Sequence, residues 1–309
     1  MIAAFIMQGR LQAVAVATLF AVASLLLPPV VIVSTAVVGF ITLRLGARSG
    51  VGVVALATVV IALLGLLAYG NLSMAVVSVV IWLPILFLAM LLRYSGSLSL
   101  TVQAALLLGL LPLLIEQLYL ASSTGGWQAL LSPLQKSLVE SKVLSLEESA
   151  ELVDWLNRWL TSFMAAGFFL QTCLALFLAR SWQARLFNPG GFSREFHALR
   201  VSRAMSYVAV VVVLLMFAAD GDQWSPIRLA AAMLIVLFFL QGLAVLHSLL
   251  AKSQAGESWL VGVYVLMLFA LPYMAITLAA TGFADSWWNF RKVDEGNRPD
   301  GPGSTGDDD

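Results

Sequence analysis

Residues 11–43 read LQAVAVATLFAVASLLLPPVVIVSTAVVGFITL, an apolar run that carries no charge. Two prolines, Pro28 and Pro29, stand near its middle. Proline lacks an N–H and fixes φ, so a pair of them breaks a helix. The stretch reads as two short membrane spans, 11–27 and 30–43, joined by a tight turn. One long helix kinked at the prolines is the weaker alternative. A spanning helix needs about 20 mostly apolar residues. Outward from this hairpin, seven more segments qualify as candidates: 51–69, 73–92, 99–121, 161–179, 204–219, 226–250 and 258–284.

Composition agrees with that reading. Apolar residues make up 61% of the 309 and charged residues 11%, and the mean hydropathy is +0.94. Soluble domains run at roughly 45–50% apolar and about 25% charged, so a soluble globular fold is excluded. Disorder needs low hydrophobicity and high net charge. Here 17 Lys and Arg balance 17 Asp and Glu. A nucleic-acid binder is unexpected without a basic excess. The expected fold class is all-α: a polytopic transmembrane helical bundle of eight or nine spans. Residues 1–292 form one transmembrane domain, and 293–309 a disordered polar tail. More apolar chain follows the first segment instead of a cleavage site and a polar region, so that segment is expected to be retained.

Lys and Arg are kept in short cytoplasmic loops. Starting with Arg10 inside, Arg44, Arg48, Arg93, Arg180, Arg185, Arg194, Arg200, Arg203 and Lys252 all fall inside, and eight spans alternate without conflict. The ninth segment is ambiguous. A single crossing of 258–284, kinked at Pro272, puts 10 Lys and Arg inside and 7 outside. A turn back at Pro272 gives 13 against 4. Charge favours the second form. Backbone satisfaction in lipid favours the first, which is the form expected here. It also separates the charges by sign, with 10 basic and 2 acidic residues inside against 7 and 15 outside.

Two insertions interrupt the spans. The outer one, 122–160, opens Ser122-Ser123-Thr124-Gly125-Gly126 and contains Ser145-Leu146-Glu147-Glu148, a capping-box pattern. Leu146, Val153, Leu156 and Leu160 then recur at helical spacing. An amphipathic helix at the outer surface, running into span six, is expected there. It is either a lid over an outward cavity or a shield for the bundle. The inner one, 185–203, has a turn at Asn188-Pro189-Gly190-Gly191. Ser193 is expected to cap a short basic amphipathic helix lying on the inner leaflet. Its Arg194, His197, Arg200 and Arg203 are candidate contacts for lipid or a partner, or a plain positive-inside anchor.

Polar groups inside spans are costly and are functional candidates by default. Glu116 and Gln117, four and five residues past Pro112, head the ligand-binding candidates together with Trp82. The expected pocket faces outward among the ends of spans four to six. Gln171, Thr172 and Gln241 are expected to hydrogen-bond between helices. His247 has no nearby Cys, Asp or Glu for a metal site. The single cysteine, Cys173, allows no disulfide within one chain. Ala13, Ala17 and Ala21 form a small-residue stripe suited to close helix docking. Catalytic and phosphate-loop motifs are missing, so no enzyme, cofactor or metal is expected.

Two stretches carry a resemblance. Phe187-Asn188-Pro189-Gly190-Gly191-Phe192 with Glu195-Phe196 and Leu199-Arg200 is one. Gly282-Phe283-Ala284-Asp285-Ser286-Trp287-Trp288-Asn289-Phe290-Arg291-Lys292 is the other. Both resemble the domain-of-unknown-function 2232 (YybS-like) family of bacterial predicted membrane proteins. That family is distantly similar to the substrate-binding S components of energy-coupling-factor vitamin transporters. The resemblance implies a multi-pass bacterial inner-membrane protein, and the basic residues put its N-terminus on the cytoplasmic side. The resemblance also implies a docking role for Ala13, Ala17 and Ala21 against a membrane coupling subunit. S components have about six spans, fewer than here, and no vitamin-specific motif is present. The functional expectation is small-molecule (vitamin-like) capture or transport. The alternative is a membrane scaffold or assembly factor.

Overall fold

The computed structural model describes residues 2–111, 126–218, 225–252 and 258–291. Every regular element among them is helical. Helix α1 covers Ile2–Ile6, α2 Arg10–Ala23, α3 Val31–Leu45, α4 Ala47–Tyr69, α5 Ser73–Ser95 and α6 Leu98–Leu108. Helix α7 covers Gly126–Glu140, α8 Leu146–Phe187, α9 Gly191–His197, α10 Arg203–Ala218, α11 Ser225–Lys252, α12 Ser258–Phe269 and α13 Leu271–Trp288. Five stretches are long and apolar enough to cross a membrane: Pro28–Leu45, Ala47–Tyr69, Ser73–Ser95, Leu146–Phe187 and Pro226–Lys252. Candidate segment 99–121 is described only to residue 111.

The proline pair does break the chain. Pro28–Val30 forms one turn of 3-10 helix, and α2 and α3 pack against each other as a hairpin. The hydroxyl of Ser34 donates to the carbonyl of Ala17 across that hairpin at 2.7 Å. Helix α3 is the centre of the N-terminal half. All its residues from Ser34 to Leu43 are buried, and it packs on α2, α4, α5 and α8. A helix that is apolar on every side belongs inside a bundle. Its three hydroxyls are satisfied without water: Ser34 as above, Thr35 to Val31 O and Thr42 to Val38 O.

The alanine stripe is used up within the chain. Ala13 and Ala17 are fully buried, and Ala21 is half-buried. The expectation that all three present a docking face to another protein is therefore corrected. The exposed side of α2 is Leu11, Ala15 and Leu19 instead.

In the outer insertion the expected helix running into span six is present. Ser145 and Glu148 do form the capping box. The helix they start is the first third of α8, which runs 42 residues without a break through candidate span six. At 1.5 Å per residue that is about 63 Å, roughly twice the hydrocarbon thickness. Its N-terminal third therefore stands clear of the apolar part, with α7 packed along it and Trp127 Nε1 donating to Thr161 Oγ1 at 2.9 Å.

The last apolar segment turns back, so the single crossing is corrected. Helix α12 ends at Phe269, and Pro272 stands in the first turn of α13, where a missing N–H breaks no bond. Helix α13 then runs alongside α11 in the same direction. Gln241 meets Asp285, and further down Lys252 Nζ donates to the carbonyl of Arg291 at 2.7 Å. The C-terminal ends of α11 and α13 therefore share one face with the 185–203 loop. A test follows directly. Cysteines placed at Arg194 and at Asn289 are expected to react with an impermeant maleimide from the same side of intact vesicles. The native thiol, Cys173, is buried and stays silent. Labelling from opposite sides would contradict this arrangement.

Candidate functional site

Two features of the bundle have the chemistry of a site, and they lie at opposite ends. The first is an apolar cavity of about 210 Å³ floored by Trp82. Its wall is built from the C-terminal end of α2 (Ala21, Ser24), the start of α3 (Val31), Ile61 of α4 and Ser78 of α5. Trp82 is 1% exposed and held in place. Its indole N–H donates to Ser34 Oγ at 3.2 Å, and the Ser34 hydroxyl in turn donates a hydrogen bond to Ala17 O. Ser24 and Ser78 turn their hydroxyls onto carbonyls of their own helices, Ala21 O and Met74 O. The lining is thus apolar in effect, although serines contribute to it.

Trp82 therefore faces a cavity among the first four candidate spans, not among spans four to six. That part of the expected pocket is corrected. None of the cavity's lining residues comes from α7 or α8. Glu116 and Gln117, with Pro112, lie outside the described residues.

The second feature is the basic face. Arg44 stacks over the Phe187 ring at 3.9 Å, Arg93 donates to Leu43 O at 2.8 Å, and Arg180 forms a two-pronged ion pair with Glu195. These contacts bring the ends of α3, α5, α8 and α9 to one surface. Gly190 adopts φ 77°, a left-handed conformation natural to glycine, and caps the start of α9. Ser193 is thus not the cap. The short helix ends at His197, and the chain from Ala198 to Ser202 alternates, with Ala198 and Ser202 exposed and the residues between them turned into the bundle. Leu199 and Val201 are buried there, and Phe196 packs on Phe177 and Phe192. Three consecutive backbone N–H groups of this insert find side-chain acceptors. Arg200 N donates to Ser99 Oγ, Val201 N to Gln241 Oε1 and Ser202 N to Gln103 Oε1.

Beneath the insert lies a buried polar knot. Asp285 is fully buried. Its carboxylate accepts from Arg291 Nη2 at 2.6 Å, Gln241 Nε2 at 2.8 Å and the backbone N–H of Phe290 at 3.0 Å. Arg291 also donates through Nη1 to the carbonyls of His197 and Leu199. Arg200 reaches the other way, to Ser286 O at 3.1 Å. The knot thus ties α11, α13 and the 198–202 insert together.

Above the knot is an open cleft of about 460 Å³ lined by Arg194, His197, Arg200, Lys252, Asn289 and Arg291 among others. Of the expected basic set, Arg194, His197 and Arg200 line it together with Lys252 and Arg291, while Arg203 starts α10 outside it. Partial burial, and next the Arg291 charge, hold the His197 pKa below the ordinary imidazole value. The His247 ring is 6.4 Å from that of His197, and its Nε2 is 2.9 Å from Tyr264 Oη.

No protein-family model, curated protein or solved structure matches this chain.

The site therefore stands on its geometry. Of the in-span polar residues, Gln171 and Gln241 do bond between helices, Gln171 to Thr35 Oγ1 and Gln241 as above, while Thr172 bonds only its own helix. The residue sequence reasoning missed is Asp285. It closes the last apolar segment, and an acid in that place is a functional candidate by the same rule that singled out Glu116. Arg291, six residues on in the same motif, is the partner that the burial of Asp285 requires.

Proposed function

We propose that this chain is a multi-pass bacterial inner-membrane protein that captures a small, mostly apolar molecule in the Trp82 cavity, as the binding member of an uptake system. The observation that carries this reading is the cavity itself, apolar, pinned by the Trp82–Ser34–Ala17 chain and placed toward the end opposite the basic face. The resemblance to S components points the same way. With the C-terminal turn back, 13 of 17 Lys and Arg fall on one side, which supports a cytoplasmic basic face and an N-terminus on that side. The cavity then lies in the outer half of the bundle.

Size narrows the ligand. An apolar cavity of about 150 Å³ holds benzene, and drug-sized ligands need roughly 300–1,000 Å³. At about 210 Å³ the occupant is larger than one small ring and smaller than a whole vitamin. A coupling partner would meet Leu11, Ala15 and Leu19, since Ala13 and Ala17 are covered.

A thermal-shift panel of small aromatic and branched aliphatic compounds tests this in detergent. A matching compound at 100 times its Kd adds about 2.7 kcal/mol of stability. The gain is expected to vanish in Ala21→Phe, which fills the cavity, and to shrink in Trp82→Phe. A panel with no stabilising member, or a shift that survives Ala21→Phe, would sink the reading.

A further inference from the structure

We propose that the cleft between α9, α11 and the end of α13 binds the phosphate group of an anionic ligand, a lipid headgroup or a free phosphate. This site lies at the opposite end from the Trp82 cavity and does not depend on what that cavity holds.

Convergence is the first argument. Arg194 and Arg200 come from the 185–203 loop, Lys252 from the last residue of α11, and Arg291 from beyond α13. Cations that merely mark a cytoplasmic loop have no reason to gather from such distant parts of the chain, because like charges repel. The second argument is the shortage of counter-charge. The one carboxylate in the knot, Asp285, is buried and already spent on Arg291, Gln241 and Phe290 N. Glu195 is committed to Arg180. Among the described residues, Arg194, Arg200 and Lys252 have no acidic partner.

Free donors are the third argument. Arg200 uses one Nη on helix-end carbonyls, and Lys252 uses one proton on Arg291 O. Arg194, Arg200 and Lys252 all line the cleft, and among the described residues their remaining side-chain donors have no hydrogen-bond partner. A guanidinium fork matches a phosphate bidentately, with Lys as a point charge beside it. The carbonyls at the ends of α9 and α13 that would repel an anion are covered by Arg291 and Arg200. Lys252 ends an apolar helix of spanning length, which is the depth at which lipid phosphates lie. Basic pockets at such helix ends accept anionic headgroups.

The experiment is a titration of purified protein in neutral detergent, read by thermal midpoint and native mass spectrometry. The probes are dioleoyl phosphatidylglycerol, dioleoyl phosphatidylcholine and inorganic phosphate. Binding of phosphatidylglycerol without inorganic phosphate identifies a headgroup site, and response to inorganic phosphate alone identifies a soluble one. The double variant Arg194→Gln with Lys252→Gln is expected to weaken the responding probe about thirty-fold, from roughly 1 kcal/mol per basic residue near an anionic surface. The control Arg185→Gln with Arg203→Gln removes the same charge from exposed positions outside the cleft and is expected to leave binding nearly intact. Equal weakening in both double variants, or no response to either anionic probe, would overturn the proposal. Neither variant touches the Trp82 cavity, so this result and the fate of the small-molecule reading are independent.

Discussion

Exchanging Asp285 for alanine is expected to lower stability by about 3–5 kcal/mol, the range for removing one partner of a buried ion pair. The physical reason is what it leaves behind. The Arg291 side chain, 10% exposed, loses its counter-charge. Gln241 Nε2 and the N–H of Phe290 lose their acceptor. A charge buried without a partner costs far more than the pair itself contributed. Asp285→Asn keeps an acceptor for Gln241 and is expected to cost less. Combining Asp285→Leu with Arg291→Met removes both charges and is expected to recover part of the alanine loss. Reversible denaturation in mixed micelles measures all three. A loss below about 1 kcal/mol for the alanine variant would place this interaction among exposed pairs and contradict the buried knot.

The second large effect is expected at Gly282. Here α13 crosses α11 so closely that a Cβ on Gly282 would fall well inside contact distance of Phe238 O, and one on Gly242 well inside that of Leu278 O. Both obstacles are backbone, which cannot rotate away. Gly282→Ala must push the helices apart and drag Asp285, one turn further on, away from Gln241. The expected cost lies near the top of the ~1–3 kcal/mol range for overpacking. Gly262 in α12 is the matched control, since nothing lies within 4 Å of its would-be Cβ. Alanine there is expected to stabilise by roughly 0.5–1 kcal/mol through helix propensity. Thermal midpoints that move the same way in both variants would contradict the close crossing.

These two sites show why some features were legible in the sequence and others were not. The break at Pro28-Pro29 and the capping box at Ser145 are local: a proline lacks its donor and a serine finds its acceptor whatever the rest of the chain does. Helices of spanning length follow from counting apolar residues. The course of 258–288 does not. The same apolar residues satisfy lipid whether they cross once or turn back at Pro272. The choice falls to contacts across long separations in sequence, Asp285 to Gln241 and Arg291 to the carbonyls of His197 and Leu199.

The alanine stripe of α2 makes the same point from the other side. Its spacing announces a close helix contact and cannot say with whom, since a neighbouring span and a separate protein want the same small residues. Only the packing of α2 on α3 and α4 assigned Ala13 and Ala17 to the chain's own interior. Trp82 was likewise visible as an aromatic within a span, and only the hairpin placed Ser34 under its indole. The sequence by itself determined an all-helical chain with apolar helices long enough to cross a membrane, because hydropathy and local breakers act residue by residue. Tertiary structure alone decided that α11 and α13 run together and that four cations from three separate segments share one cleft. Those outcomes depend on which buried polar groups find each other, and nothing short of the folded chain holds that information.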